Sequence, residues 1–531
     1  MPEALKGETG RAGNNLDNNP AMDVAEESDR AIVPEKVANE ALARAGVEEP
    51  LEGRARTKEN AGQEHTDSTQ SGSNVSRGLD RVRQRAREDK EARFTNLLHH
   101  VTVDLLRQSF QHLKRKAAAG VDGVTWEEYA AGQEDRLRDL HGRLHRGAYR
   151  AQPSKRVYIP KADGKQRPLG IAALEDKIVQ QAVATVLSAI WEEDFLGFSY
   201  GFRPGRGPHD ALDALNVALM GRVGWVLDAD IRGFFDNMSH EWILRFVQRR
   251  VADPRILRLI QKWLKAGVSE DGEWSASTVG TPQGAVISPL LANIYLHYVI
   301  DEWAHEWRRK KATGHVFLLR YADDTVFGFQ YRGVALAFLA ELRKRLAEHG
   351  LELHPDKTRL IEFGRYAEQN RRDRGEGPPE NFDFLGFTHL CGKTKDGVYQ
   401  VRRRTAAARM RAKIASIGEE LRRRMHEPVR VVGAWLRRVV EGYYRYHSVM
   451  GNLSSMAVFR HRLKLKWRRV LRQRGDRGKV TWAKYAPLFD RWVPYARLMH
   501  PLPQERFAVK HPRWKPDAGK PLVRFCPGGA S

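Results

Sequence analysis

Two aspartates stand side by side between apolar runs in FLLRYADDTVFGF (Phe317–Phe329), with Asp323 and Asp324 near its centre. Near-alternation of Phe, Leu, Val and Thr predicts two strands, and Asp-Asp is compatible with the tight turn joining them. Such acids either solvate a surface turn or hold a cation, and the second role needs a third carboxylate. GWVLDADIRGFFDNMSHEWIL (Gly224–Leu244) offers one. It opens with an apolar strand at Trp225–Leu227, and alternation puts Asp228 and Asp230 on one face. A carboxylate ending a buried strand is costly unless paired or metal-bound. Asp230 is the metal candidate; Asp228 and Asp236 are read as structural acids that cap or pair with arginines. Ser239 is the predicted N-cap of the helix that follows. Three carboxylates from neighbouring strands can hold two Mg²⁺ ions about 3.5–4 Å apart. Oxygen ligands suit Mg²⁺, and no His/Cys cluster invites zinc.

The 531 residues leave room for several domains and a large core, and the net charge of +24 is unevenly spread. Residues 1–80 hold 9 Lys/Arg against 16 Asp/Glu and no aromatic residue, a composition that predicts disorder. The rest carries +31, which points to a polyanion, with nucleic acid far ahead of membrane. No apolar run reaches 18 residues, and Cys391 and Cys526 are far apart, so the chain reads as soluble and cytoplasmic, without a disulfide framework or zinc knuckle. Residues 78–93 read as a charged helical lead-in, closing a first segment at 1–93. From Phe94 to about Leu390 strands, helices and Gly/Pro turns alternate, an α+β pattern. Residues 391–480 read as a basic helical domain and 481–531 as a tail that resists classification.

The ordered set DADIRGFFD, TPQGAVISPLLANIYL and YADD resembles the palm of reverse transcriptases, and more narrowly the proteins encoded by bacterial group II introns, which act as reverse transcriptase and maturase. The resemblance runs from about Lys114, where KRKAAAGVDGVTWEEY is similar to an extra N-terminal block of the intron type, to Arg474 and beyond. It implies a right-hand polymerase fold, with fingers and palm over 94–390 and a helical thumb/maturase domain after it. It also makes Asp230, Asp323 and Asp324 the catalytic, metal-binding triad for two Mg²⁺ ions.

By the same resemblance, RVYIPKADGKQRPLGI (Arg156–Ile171) is a fingers hairpin whose Arg167 and Lys161 meet the incoming triphosphate. Gln283 and Gly284 lie against nucleotide and template, and Lys357 in GLELHPDKTRLIEF lies near the triphosphate. Gly386 in NFDFLGFTHL allows the primer-gripping turn to approach the strand. Phe235, five residues past Asp230, is either core or the ring that crowds a sugar 2′ position. Arg203 and Arg206 in GFSYGFRPGRGPHDAL are expected phosphate contacts before a helix starting near Pro208. Related proteins usually carry Ser-Ala where this chain has Gly207-Pro208, and often Gly where Ala285 stands.

Residues 400–475 hold 21 Lys/Arg against four Asp/Glu. In SSMAVFRHRLKLKWRRVLRQRG a Ser cap at 454 or 455 leads into a helix whose apolar face is Phe459, Leu463, Trp467 and Val470/Leu471. Arg460, Lys464, Arg468 and Arg472 lie largely off that face and are the expected RNA contacts. The implied partners are group II intron RNA, an RNA template with a DNA primer, dNTPs and a DNA target site; no membrane is implied, and a homodimer is left open. The reading is an RNA-directed DNA polymerase that assists splicing of its intron, with no C-terminal nuclease domain. A non-catalytic splicing factor on the same scaffold and a retron-like defence enzyme are the alternatives.

Overall fold

The computed structural model describes residues 68–160, 166–474, 480–500 and 502–511. Its centre is a four-stranded antiparallel sheet ordered β6 (Val316–Tyr321), β7 (Asp324–Phe329), β3 (Trp225–Ala229) and β8 (Arg359–Glu362). The alternation seen in the sequence decides what each face buries. Leu227, Leu318, Phe327 and Phe329 enter a large core built with the helices Leu174–Asp194, His240–Gln248, Ser288–Leu296 and Arg332–Ala347. Val226, Phe317, Leu319, Val326 and Ile361 enter a second core beneath the helix Pro208–Leu219. With both faces covered, β6 is buried along its whole length.

A second sheet has the order β2 (Gln166–Ile171), β1 (Ser154–Pro160), β4 (Val268–Glu270), β5 (Glu273–Ser275). A third has the order β11 (Tyr399–Thr405), β10 (Phe387–Lys393), β9 (Phe382–Phe384). The architecture is therefore α+β. Ser239 caps helix His240–Gln248 by accepting from the Trp242 amide, and Pro208 opens its helix, both as the sequence predicts.

Three expectations are corrected. Residues 1–80 are expected to be disordered and 78–93 to be a helical lead-in, but the helix already starts at Ser68 and runs to Glu88, with Leu79, Val82 and Ala86 buried in the large core. Its apolar stripe is short, and averaging composition over 80 residues dilutes it. Residues 1–67 lie outside the described residues. The helix Leu453–Arg472 is preceded not by a serine cap but by Asn452, which is buried. Asn452 Oδ1 accepts from the Thr405 amide at 2.8 Å, and its Nδ2 donates to Thr405 Oγ1 at 2.7 Å. The side chain thus ties β11 to the bundle rather than capping locally. Finally, within the expected tail, helix Trp482–Trp492 buries Tyr485 and Phe489 among Met410, Ile417, Leu436, Phe459 and Trp467 of the helices Ala407–Arg423, Val429–His447 and Leu453–Arg472. A further helix, Pro503–Lys510, packs on Pro208–Leu219. Among the described residues no helix is long and apolar enough to cross a membrane.

Candidate active site

The acids meet through strand register. β3 pairs antiparallel with β7, and the last pair is Ala229 with Thr325. One step further along this register sets Asp230 across from Asp324. Asp324 is itself the closing partner of Tyr321 in the β6–β7 hairpin, whose two-residue loop is Ala322–Asp323. Asp228, Asp230 and Asp324 therefore share one sheet face, and Asp323 sits at the hairpin tip.

That tip is held by a residue the sequence reading passed over. Ala322 has a left-handed backbone (φ 57°), a conformation that costs a non-glycine residue about 1–2 kcal/mol. Arg320, 1% exposed, donates to the Ala322 carbonyl at 2.9 Å. Its other donors go to Asp301 (2.8 and 2.5 Å), Asn293 (2.9 Å) and Ser199 (2.8 Å), so all five N–H groups are used. Asp301 is fully buried and closes a single π turn, His297–Asp301. From the other side Gly201 presses on the turn: a Cβ there would fall 2.2 Å from the Ala322 nitrogen. The available signal was an arginine inside an otherwise apolar strand, a charge that burial tolerates only with partners.

Basic side chains reach the acid face. Lys357 Nζ lies 3.4 Å from Asp230 Oδ2. Asp228 faces Arg359 across the β3–β8 register, yet burial pushes its carboxyl up to about 7, with Asp230 and Asp383 adding to the rise against Arg359. The Asp230 backbone is fixed by His354, whose amide donates to its carbonyl at 2.8 Å. Among the described residues no three His, Cys, Asp or Glu side chains are gathered as a ready metal site. The backbone aligns the acids, while the Asp230 carboxylate is engaged by Lys357.

A second wall is stitched to the first. The Thr281 amide donates to the Phe235 carbonyl at 2.9 Å, and the Gly170 amide of β2 donates to the Gln283 carbonyl at 2.8 Å. This brings the half-buried ring of Phe235, Gln283 with Gly284, and the strand bearing Arg167 into one neighbourhood. Arg167 pairs with Ile159 in the expected β1–β2 hairpin. Lys161 lies outside the described residues. Gly386 follows Leu385 in a turn where both have positive φ (80° and 47°), and it joins β9 to β10. Tyr446 donates to the Leu385 carbonyl at 2.9 Å, anchoring this turn to helix Val429–His447.

Several basic residues expected on phosphate are used inside the fold. Arg203 is buried; it pairs with Glu192 at 3.0 Å and donates to the Leu196 and Ser199 carbonyls, both at 2.9 Å. Burial, with Arg206 beside it, brings its guanidinium down to about 10. Arg206 donates to the Gly197 and Ser199 carbonyls. These two arginines shape the loop, because a turn rich in Gly and Pro leaves carbonyls that need donors. Arg460, Lys464 and Arg468 face helix Trp482–Trp492. Arg460 and Lys464 reach Asp490 at 2.6 and 3.6 Å, and Arg468 lies 4.2 Å over the Trp482 ring. Of the four expected RNA contacts on this helix, Arg472 is exposed, as are Arg462 and Arg469 on the same outer surface.

Comparison with known proteins gives the family of the chain. The family model "Reverse transcriptase (RNA-dependent DNA polymerase)" matches residues 159–389, from the end of β1 into β10. Protein YkfC of Escherichia coli K12 is 43% identical over 276 residues, covering 45% of this chain and 71% of that protein. The group II intron-encoded protein LtrA of Lactococcus lactis is 35% identical over 221 residues, covering 41% of this chain but 37% of LtrA. A nuclear intron maturase of Arabidopsis thaliana is 29% identical over 91 residues, 17% of this chain and 13% of that protein. The chain belongs to the reverse transcriptases, in the family of group II intron-encoded reverse transcriptase/maturases. Reverse transcriptases generally use divalent metal ions.

Proposed function

We propose that the chain is an RNA-directed DNA polymerase that copies intron RNA by two-metal nucleotidyl transfer and assists splicing of a group II intron. The observation that carries the reading is the β3–β7 register, which runs Asp230 up to Asp324 beside Lys357. In this reading the β6-β7-β3-β8 sheet is the palm, and the β1–β2 hairpin belongs to the fingers. The helical bundle of Ala407–Arg423, Val429–His447 and Leu453–Arg472, extended by Trp482–Trp492, is the thumb/maturase domain; it starts after β11, whereas the expected start at 391 falls inside β10. Asp230, Asp323 and Asp324 would hold two Mg²⁺ ions; when bound, these supply activation of the primer 3′-hydroxyl and neutralisation of the leaving pyrophosphate. The donor set fits, since carboxylate oxygens suit a hard divalent cation and strand register sets Asp230 across from Asp324.

The remaining residues orient the reactants. Arg167, Lys161 and Lys357 bind triphosphate oxygens, while Gln283 and Gly284 back the nucleotide and template. The ring of Phe235 excludes a 2′-hydroxyl, and the Leu385–Gly386 turn holds the primer end. Exposed arginines of the bundle grip intron RNA. The test is Asp323→Asn, assayed in one preparation for extension of a DNA primer on RNA and for intron splicing. Synthesis is expected to fall by on the order of a thousandfold or more while splicing assistance stays near wild type. Wild-type protein that splices without extending a primer would favour a non-catalytic maturase.

A further inference from the structure

Helix Pro503–Lys510 lies more than a hundred residues beyond the matched reverse transcriptase region, yet it reaches the core under the catalytic hairpin. Phe507, 5% exposed, belongs to the same buried cluster as Tyr321 and Ala322 at the hairpin tip and Tyr200 and Leu215 beside it. Two cations flank it. Arg506 Nε lies 3.0 Å from Asp213 Oδ2, and the Asp213 side chain, only 4% exposed, also faces Arg403 of β11 at 3.5 Å. Lys510 Nζ lies 2.7 Å from Asp210 Oδ2. The segment before the helix is tied to the bundle and to the same partner helix. The Met499 amide donates to the Ser448 carbonyl at 3.1 Å, and the His500 ring stacks on His209 at 3.9 Å.

The partner helix, Pro208–Leu219, is also the wall on which the hairpin rests. It follows the loop that supplies Gly201 to the Ala322 amide, and it shares a core with Phe317, Leu319 and Tyr321. A buried carboxylate such as Asp213 fixes its neighbours firmly because an unpaired charge there is costly. Packing transmits displacement, since a close-packed interior has few voids to absorb it.

We infer that helix Pro503–Lys510 is a positioning element for the catalytic hairpin, with Arg506, Phe507 and Lys510 setting where the Ala322–Asp323 turn lies. Its effect on synthesis rests on the polymerase reading above; its effect on the hairpin does not. Phe507→Ala, Phe507→Leu and Arg506→Met are compared with wild type by amide hydrogen exchange and by primer extension. Phe507→Ala and Arg506→Met should speed exchange across Leu319–Val326. They should lower kcat by on the order of tenfold while KM for dNTP stays within about twofold. Phe507→Leu should restore most of both. Should Phe507→Ala fail to fold, Arg506→Met, whose side chain is partly exposed, carries the test. Hairpin exchange identical to wild type in the folded variants overturns the inference. A wild-type protein that cannot extend a primer overturns the polymerase reading alone, and the exchange comparison still decides the role of the helix.

Discussion

Lys357 holds its ammonium 3.4 Å from Oδ2 of Asp230, so the acid expected to bind metal is paired with a side-chain cation. The same face carries Asp228, whose carboxyl burial and neighbouring acids push up to about 7. Lys357 therefore relieves repulsion among acids that strand register forces together, and it competes with any divalent cation for Asp230.

Lys357→Met should lower the melting temperature measured without divalent ions, by a destabilisation of about 1 kcal/mol or less for a partly exposed pair. It should also enlarge the rise in melting temperature on adding Mg²⁺ at constant ionic strength, because the competitor is gone. Equal Mg²⁺-induced shifts in the two proteins would show that Lys357 does not contend for the site.

Arg320 is the buried cation on which the hairpin turn hangs, through the Ala322 carbonyl and Asp301. Arg320→Met leaves Asp301 buried without its partner and should destabilise the fold by about 3–5 kcal/mol. Arg320→Met combined with Asp301→Leu removes both charges and should regain much of that stability. Primer extension should stay low in the double variant, because nothing then holds the Ala322 carbonyl. Chemical denaturation and extension rates on the same samples check both statements; full activity in a stable double variant would remove Arg320 from the site.

Phe235 follows the Gly233 turn into a short helix, and its carbonyl is fixed by the Thr281 amide, so the half-buried ring has a set position. Phe235→Ala should therefore raise rNTP incorporation relative to dNTP. Single-nucleotide incorporation ratios decide it, and an unchanged ratio returns the ring to a packing role.

The acids and their strands were legible in the sequence because alternation sets sheet faces, and one face must be apolar on each side of this buried sheet. DADIRGFFD and YADD thus marked Asp230, Asp323 and Asp324, the β1–β2 hairpin followed from local strand and turn chemistry, and the turn at Gly386 came from the family resemblance. What failed was the placing of most of the cations expected to face solvent; Arg472 is exposed as expected, while Arg203, Arg460, Lys464 and Arg468 are engaged inside the fold. Arg203 and Arg460 are as basic as any neighbour in the chain, and only tertiary partners such as Glu192 and Asp490 mark them as internal. Those partners are 11 and 30 residues away, beyond the reach of helical periodicity. Arg320 was missed for the same reason: its five acceptors come from four segments of chain.

The last prediction turns on that distinction. Along helix Leu453–Arg472, Arg460, Lys464 and Arg468 recur every fourth residue and form the stripe covered by helix Trp482–Trp492. Arg462, Arg469 and Arg472 are exposed on the outer surface. Each phosphate contact releases condensed counterions, so its loss flattens the dependence of log affinity on log salt by just under one unit. Replacing Arg462, Arg469 and Arg472 with glutamine should flatten the slope for intron RNA by about 2–3 units and leave the melting temperature nearly unchanged. Replacing Arg460, Lys464 and Arg468 with methionine should do the reverse. Asp490 would lose its partners and Trp482 its stacked guanidinium, so the melting temperature should fall while the salt slope holds. Both triple variants remove three charges, so net charge cannot explain a difference between them. If the inner set flattens the slope and the outer set does not, RNA reaches the bundle on the face covered by Trp482–Trp492, and that helix must move aside for it.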